Sequence, residues 1–232
     1  MTDPASSPLP ESAAPAADII DRPHTPAEAL DELLAGNRRF VAGERSLPNQ
    51  DAARRSQVAA GQSPFALVFG CSDSRVAAEI VFDRGLGDLF VVRTAGHVTD
   101  GSVLGSIEFG VGELGIPLVV VLGHDSCGAV RATLAAHASG RMPGGYLRDI
   151  VEHVTPSLLA ARRAGHDDVD DVVAEHTRET VGLLAERSTV VAERIADGRL
   201  AVVGLEYSLA DGEAHLVAAL GDVDATTLDS SR

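Results

Sequence analysis

Two cysteines, one histidine and an aspartate–arginine pair are the residues of this chain best suited to chemistry. Cys71 and Cys127 are the only thiols among 232 residues, and His124 stands three positions before the second. Two thiolates and an imidazole suit tetrahedral zinc, and three protein ligands leave a fourth position open for water. A structural zinc site more often has four Cys or His donors, commonly in close pairs. Zn²⁺ with two thiolates is formally neutral, a weaker Lewis acid than zinc held by three neutral histidines, so its water needs help to ionise. Asp73 and Arg75 are placed to give it. Asp73 can accept a hydrogen bond from the metal's water, and Arg75 can hold that carboxylate in place and ionised. Released by Arg75, Asp73 could close the fourth position itself. The plainer reading is a pair of inert packing cysteines, beside which the charges of Asp73 and Arg75 would be out of place.

Positioning these residues calls for strand ends. Phe65–Phe69, Leu89–Val92, Pro117–Leu122 and Leu200–Gly204 are short, Val-rich apolar runs bounded by Gly, Asp or Pro. Continuous apolar runs imply parallel strands covered on both faces. Helical patterns near 75–83, 101–114, 127–138, 144–164 and 168–197 separate them, which gives an α/β fold with a mainly parallel sheet flanked by helices. A possible antiparallel edge strand covers 212–218, after a turn at Asp211-Gly212. The segment from Phe69 to Arg75 follows the first strand and that from Gly123 to Gly128 follows the third. Functional groups of parallel sheets collect at these carboxyl ends. The His-x-x-Cys spacing fits a loop entering a helix, whose N-terminal dipole favours the Cys127 thiolate.

Ahead of the sheet lies a helical arm. Thr25-Pro26-Ala27-Glu28 has the form of a capping box with proline at the first helical position, so a helix is expected over 26–42 and a shorter one over 51–60. Residues 1–23 read as a disordered or extended tail, 24–220 as one domain and 221–232 as a C-terminal tail. The net charge of −15 argues against nucleic acid as a partner. No apolar run reaches the ~20 residues of a membrane span, and the N-terminus lacks the pattern of an export signal. A cytoplasmic location is expected, where two cysteines rarely form a disulfide.

Taken together, Cys71-Ser-Asp-Ser-Arg75 and His124-Asp-Ser-Cys127-Gly128 resemble the two signature motifs of the β-class carbonic anhydrases, and the resemblance extends over roughly residues 26–218. It implies one Zn²⁺ per chain, attack of zinc-bound hydroxide on carbon dioxide to give bicarbonate, and assembly as a homodimer or homotetramer. It assigns zinc to Cys71, His124 and Cys127, with Asp73 as fourth ligand in closed members and Asp73 and Arg75 as the catalytic pair. It implies substrate contacts from Gln62, nine residues before Cys71, from Phe90 and Ala95 on an apolar wall, and from the Gly128 N–H. The chain departs from the pattern at Val68, where members with a bicarbonate inhibition site often carry tryptophan, and at Phe109, where many carry a tyrosine that approaches the site across the dimer. His97 reads as a hydrogen-bonding scaffold residue rather than a proton shuttle. Hydrolysis of carbonyl sulfide or carbon disulfide on the same scaffold is an alternative. A non-enzymatic zinc-binding or redox-sensing protein is another, against which the Asp73–Arg75 pair argues.

Overall fold

The computed structural model describes residues 22–223. Five strands form one sheet: β1 (Ala66–Cys71), β2 (Leu89–Thr94), β3 (Leu118–His124), β4 (Ala201–Tyr207) and β5 (Ala214–Leu220). Their order is β2-β1-β3-β4-β5, parallel except for β5, which runs antiparallel at the edge as expected. From β1 the chain moves outward to β2, then crosses to β3 on the other side. The crevice of such a sheet opens where the strand order reverses, here between the carboxyl ends of β1 and β3.

Alternate residues of each strand enter different layers. Val68, Val120 and Val203 meet α1 (Pro26–Ala42) and α3 (Ala78–Val81) on one face. Leu67, Phe69, Val119, Val121 and Val202 meet α4 (Gly101–Glu108), α7 (Val169–Arg187) and α8 (Thr189–Ala196) on the other. β1, β3 and nearly all of β4 are buried on both faces, which is why these strands read as unbroken apolar runs, while β2 is half-buried at the edge. A third cluster caps the carboxyl edge, where Cys71 and Cys127 pack with Val130 of α5 (Gly128–Ser139), Val154 and Leu158 of α6 (Leu147–Arg163), and Val172 and Val173 of α7.

Several element boundaries differ from the sequence expectation, each for a local reason. The helix expected over 75–83 is only α3, because Asp73 and Arg75 are engaged with each other and Val76 N–H closes a turn on the Asp73 carbonyl. The helix expected over 101–114 is α-helical only to Glu108 and continues through Phe109–Glu113 as a wider π turn. The pattern over 168–197 is two helices, because the Ser188 hydroxyl leaves α7 to cap α8 at Val191 N–H and to bond Glu108. The helix expected over 51–60 divides into α2 (Ala52–Gln57) and one 3-10 turn.

The arm enters as its capping box dictates: Glu28 N–H donates to Thr25 Oγ1 and the Glu28 carboxylate accepts from Thr25 N–H. Leu30 and Leu33 of α1 are buried in the first layer. Asn37 donates to the carbonyls of Val81 and Gly212 and accepts from Ala214 N–H, tying α1 to the end of α3 and the start of β5. Asp83, fully buried, accepts from Arg39 Nε at 2.8 Å, Ser46 N and Oγ at 2.9 Å, and Leu47 N at 3.0 Å. The tails expected at 1–23 and 221–232 lie outside the described residues save at their inner ends, where Arg22 donates to the carbonyls of Ser63 and Pro64. Among the described residues no helix is long and apolar enough to cross a membrane.

Candidate metal centre

Cys71 is the last residue of β1 and His124 the last of β3, so both motifs begin one residue inside the strands rather than after them. Cys127 is the N-cap of α5. A nitrogen of His124 and the two sulfurs lie within 4.8 Å of one another, and all three residues are buried. Neither cysteine is in a disulfide.

The proton inventory of this cluster fits a divalent cation. His124 Nδ1 lies 2.8 Å from the Asp125 carbonyl oxygen, which can only accept, so Nδ1 carries the hydrogen and Nε2 presents its lone pair to the sulfurs. Nε2 is buried and has no hydrogen-bond partner, a costly state for a polar atom unless a ligand occupies its lone pair. The two sulfurs act on each other's thiol. The Cys71 thiol is drawn far below its usual range, first because Cys127 donates to its thiolate, and burial opposes this without overcoming it. Cys127, the donor, is pushed up for the same reason. Burial disfavours the His124 imidazolium, but the charge of the Cys71 thiolate and the Asp125 carbonyl outweigh it and raise that ring. A doubly charged ion among the three would replace these protons.

Around this cluster the backbone is held from several directions. Gly96 N–H donates to Cys71 Sγ at 3.3 Å. Gly96 follows Ala95 directly, has φ +67°, and an added Cβ would lie 2.6 Å from the Ala129 side chain, so only glycine fits. Gly123, at the exit of β3, is needed for a close approach, since a Cβ there would lie 2.3 Å from Thr177 Oγ1. Ser126, in the left-handed region at φ +53°, has its N–H bonded to Asp170 at 2.7 Å. The Gly128 N–H is among the opening donors of α5, where an anion is favoured.

Asp73, the other donor expected to reach the metal, is turned to Arg75. Its Oδ1 accepts from Arg75 Nε at 2.9 Å and from Arg75 N at 2.9 Å, and its Oδ2 accepts from Nη2 at 2.7 Å. That fork holds the carboxyl well below the usual carboxylate range. Oδ2 remains 4.0 Å from His124 Nε2, so the ion pair borders the three donors.

Gln62 and Phe90 stand apart from this centre. Gln62 is exposed, four residues ahead of β1, at the end of the strand opposite Cys71. Phe90 is opposite Leu67 in the parallel register, whereas Cys71 is opposite Thr94; four residues of strand amount to roughly 13 Å. Phe90 packs beside Phe109 with ring centroids 6.2 Å apart, and Phe109 is exposed. Val68 is core. His97 is scaffold but makes no hydrogen bond: it is buried, both ring nitrogens lack partners, and burial pushes its basicity well down, which unsuits it to carrying protons.

Sequence reasoning passed over Arg93, whose Nε donates to the Cys71 carbonyl at 2.8 Å and Nη2 to the Asp73 carbonyl at 2.6 Å. An arginine closing an apolar run at a strand's carboxyl end was the signal for it. For Asp170 no signal was present.

Comparison with known proteins settles the family. The sequence profile of the carbonic anhydrases matches residues 66–214. The chain is 57% identical over 198 residues to carbonic anhydrase 2 of Mycobacterium tuberculosis, covering 85% of this chain and 96% of that one. It is equally similar, at 57% over 198 residues, to a carbonic anhydrase of Mycolicibacterium smegmatis, with the same coverage. Among solved structures, a Coccomyxa β-carbonic anhydrase in complex with acetazolamide superposes with a TM-score of 0.66 at 27% identity, covering 82% of this chain and 87% of that one.

The chain belongs to the β-carbonic anhydrases. Hydration of carbon dioxide is the general reaction of that family, and the α/β architecture with a mostly parallel sheet is the one its members share. Among the described residues of this carbonic anhydrase, Cys71, His124 and Cys127 form a group that could hold a metal ion.

Proposed function

We propose that this chain is a zinc enzyme that hydrates carbon dioxide reversibly to bicarbonate and a proton, with one Zn²⁺ on Cys71, His124 and Cys127. The observation that carries the reading is the buried Nε2 of His124, without a hydrogen-bond partner, in a buried cluster whose three donor atoms, one from His124 and the two cysteine sulfurs, lie within 4.8 Å of one another. Bound there, zinc supplies the Lewis acidity that makes water a nucleophile near neutral pH.

The remaining work falls to the chain. Asp73, kept ionised by Arg75, accepts the hydrogen bond of the attacking water and aims its lone pair at the substrate carbon. Ala95 gives carbon dioxide an apolar wall next to Gly96. The Gly128 N–H, with the dipole of α5 behind it, donates to the substrate oxygen on which negative charge grows. In this conformation Asp73 orients the nucleophile; turned away from Arg75, it is the group that would occupy the metal's fourth position.

Gln62 and Phe90 fit this scheme only in an assembly. Since neither reaches the Cys71 of its own chain, we assign them to the site of a second copy, with exposed Phe109 beside Phe90. A homodimer is the smallest unit that satisfies this, and a homotetramer would contain it. A pair of free thiolate ligands suits a reducing compartment, which supports a cytoplasmic location.

Stopped-flow hydration of carbon dioxide, run on the protein as purified, after chelation and after restoring zinc, tests the proposal. Activity should vanish with the metal and return with one equivalent of zinc per chain. Full activity in metal-free protein would overturn it.

A further inference from the structure

His176 lies in the middle of α7, more than forty residues from any expected ligand, yet it is connected to the metal centre through one backbone turn. Its Nε2 is 3.0 Å from the Gly96 carbonyl oxygen. That oxygen only accepts, so Nε2 carries the hydrogen and donates. Gly96 in turn gives its N–H to Cys71 Sγ at 3.3 Å. On the far side of the ring, Nδ1 is 2.8 Å from Ser157 Oγ of α6, and Ser157 Oγ is 2.6 Å from Glu179 Oε2. The ring plane is fixed as well. His97 stacks on His176 with centroids 4.5 Å apart and meets Phe69 edge-on. Burial pushes His176 down to about 4, so the ring is neutral and its two nitrogens differ: Nε2 donates to Gly96, and Nδ1 accepts, competing with Glu179 Oε2 for the single hydroxyl hydrogen of Ser157. Ser157 and Glu179 line a surface cleft, so this brace runs from solvent to within one residue of the ligand sulfur.

We propose that His176, oriented by Ser157 and Glu179, is a positioning residue for the metal centre that sets the Cys71 thiolate's donor strength by holding the Gly96 N–H against its sulfur. The turn needs such a hold. Gly96 is in the left-handed region and His97 follows at φ +41°, an unfavourable pair of conformations for a free loop. Thr94 Oγ1 closes the turn onto the Val98 carbonyl at 2.9 Å, and His176 bonds the Gly96 carbonyl at its apex. An N–H···S bond withdraws charge from a thiolate, which lowers its donation to the metal and restores Lewis acidity that two thiolates would otherwise neutralise. The sequence Glu–Ser–His lacks the order of a hydrolytic triad, because the serine lies between the other two and its oxygen is occupied on both sides.

The inference rests on the metal reading above, and the experiment separates the two. Wild type, His176→Leu, His176→Gln and Ser157→Ala are loaded with cobalt(II) in place of zinc. The thiolate-to-cobalt charge-transfer band and the rate of cobalt loss to a chelator are recorded. His176→Leu should move the band to longer wavelength, since a thiolate without its hydrogen bond is easier to oxidise, and should release metal about tenfold faster, since the freed turn no longer holds the sulfur in place and this outweighs its stronger donation. His176→Gln, whose amide can still donate to Gly96, should return both readings toward wild type, and Ser157→Ala should fall between. A wild-type protein without any thiolate-to-cobalt band removes the metal centre and this role with it. A wild-type band left unmoved by His176→Leu overturns the positioning role alone, as does a His176→Gln protein indistinguishable from His176→Leu. If His176→Leu does not fold, an unshifted band and unchanged release in Ser157→Ala overturn it equally.

Discussion

Asp73 is the residue whose charge and direction matter most beyond the three proposed metal donors. Both of its oxygens are committed to Arg75, and the backbone that carries it is pinned by Arg93 from the neighbouring strand. Replacing Asp73 by Asn keeps the shape and removes the anion. Metal content should stay at one per chain, while carbon dioxide hydration falls by about 10²-fold, the usual size of a lost proton-accepting group; turnover within a factor of two of wild type would take Asp73 out of the reaction. At this scale the sequence pointed to the residues proposed to hold the metal and missed those that brace them. Cys71, His124 and Cys127 were legible because the charges of Asp73 and Arg75 beside Cys71, and the pairing of the two motifs, set aside the plainer reading of packing cysteines. His176 was passed over because a single histidine in a long helix has many, and its partners Gly96 and Ser157 are 80 and 19 residues away.

At the scale of elements, the strand order brings β1 and β3 side by side at the reversal point, and the two motifs meet because their strands do. The strands were readable from their apolar runs, and the capping box located the start of α1. What the pattern could not show was where helices break, since Ser188 ends α7 through a bond to Glu108, 80 residues earlier. Nor could it show which end of a strand a residue occupies relative to the site: Gln62 lies nine residues before Cys71, but those residues cross the whole sheet. The docking of the arm can be tested at Asn37. Asn37→Ala removes three buried hydrogen bonds and leaves the main-chain groups of Val81, Gly212 and Ala214 without that partner. A loss of about 3 kcal/mol is expected by urea unfolding; a loss under about 1 kcal/mol would show that α1 docks through its apolar face alone.

For the molecule as a whole, net charge and one buried carboxylate shape the response to pH. Asp83 is fully buried, and despite that burial the bonds from Arg39, Ser46 and Leu47 hold its carboxyl below the ordinary carboxylate range. A carboxyl with a lowered native pKa stabilises the fold fully above its unfolded value of about 4, and loses that contribution as pH falls from there through the native value. Asp83→Asn should therefore cost about 2 kcal/mol at pH 7, some 4–8 °C in Tm by a rough scaling. The gap between the two proteins should narrow as pH drops below about 4. Thermal melts of both from pH 7 to pH 3 check this, and a gap that widens on acidification would assign the wrong sign to Asp83. Bound metal adds to stability in the same melts, since an ion that binds only the folded chain raises Tm with its concentration.

Everything proposed for the chemistry depends on one ion held by two sulfurs and one ring nitrogen. X-ray absorption at the zinc edge, on protein purified without added metal, reads that shell directly. Two sulfurs at about 2.3 Å and lighter N or O atoms at about 2.0–2.2 Å are expected. Zinc surrounded only by light atoms, or by four thiolate sulfurs when this chain has just two cysteines, would contradict the account.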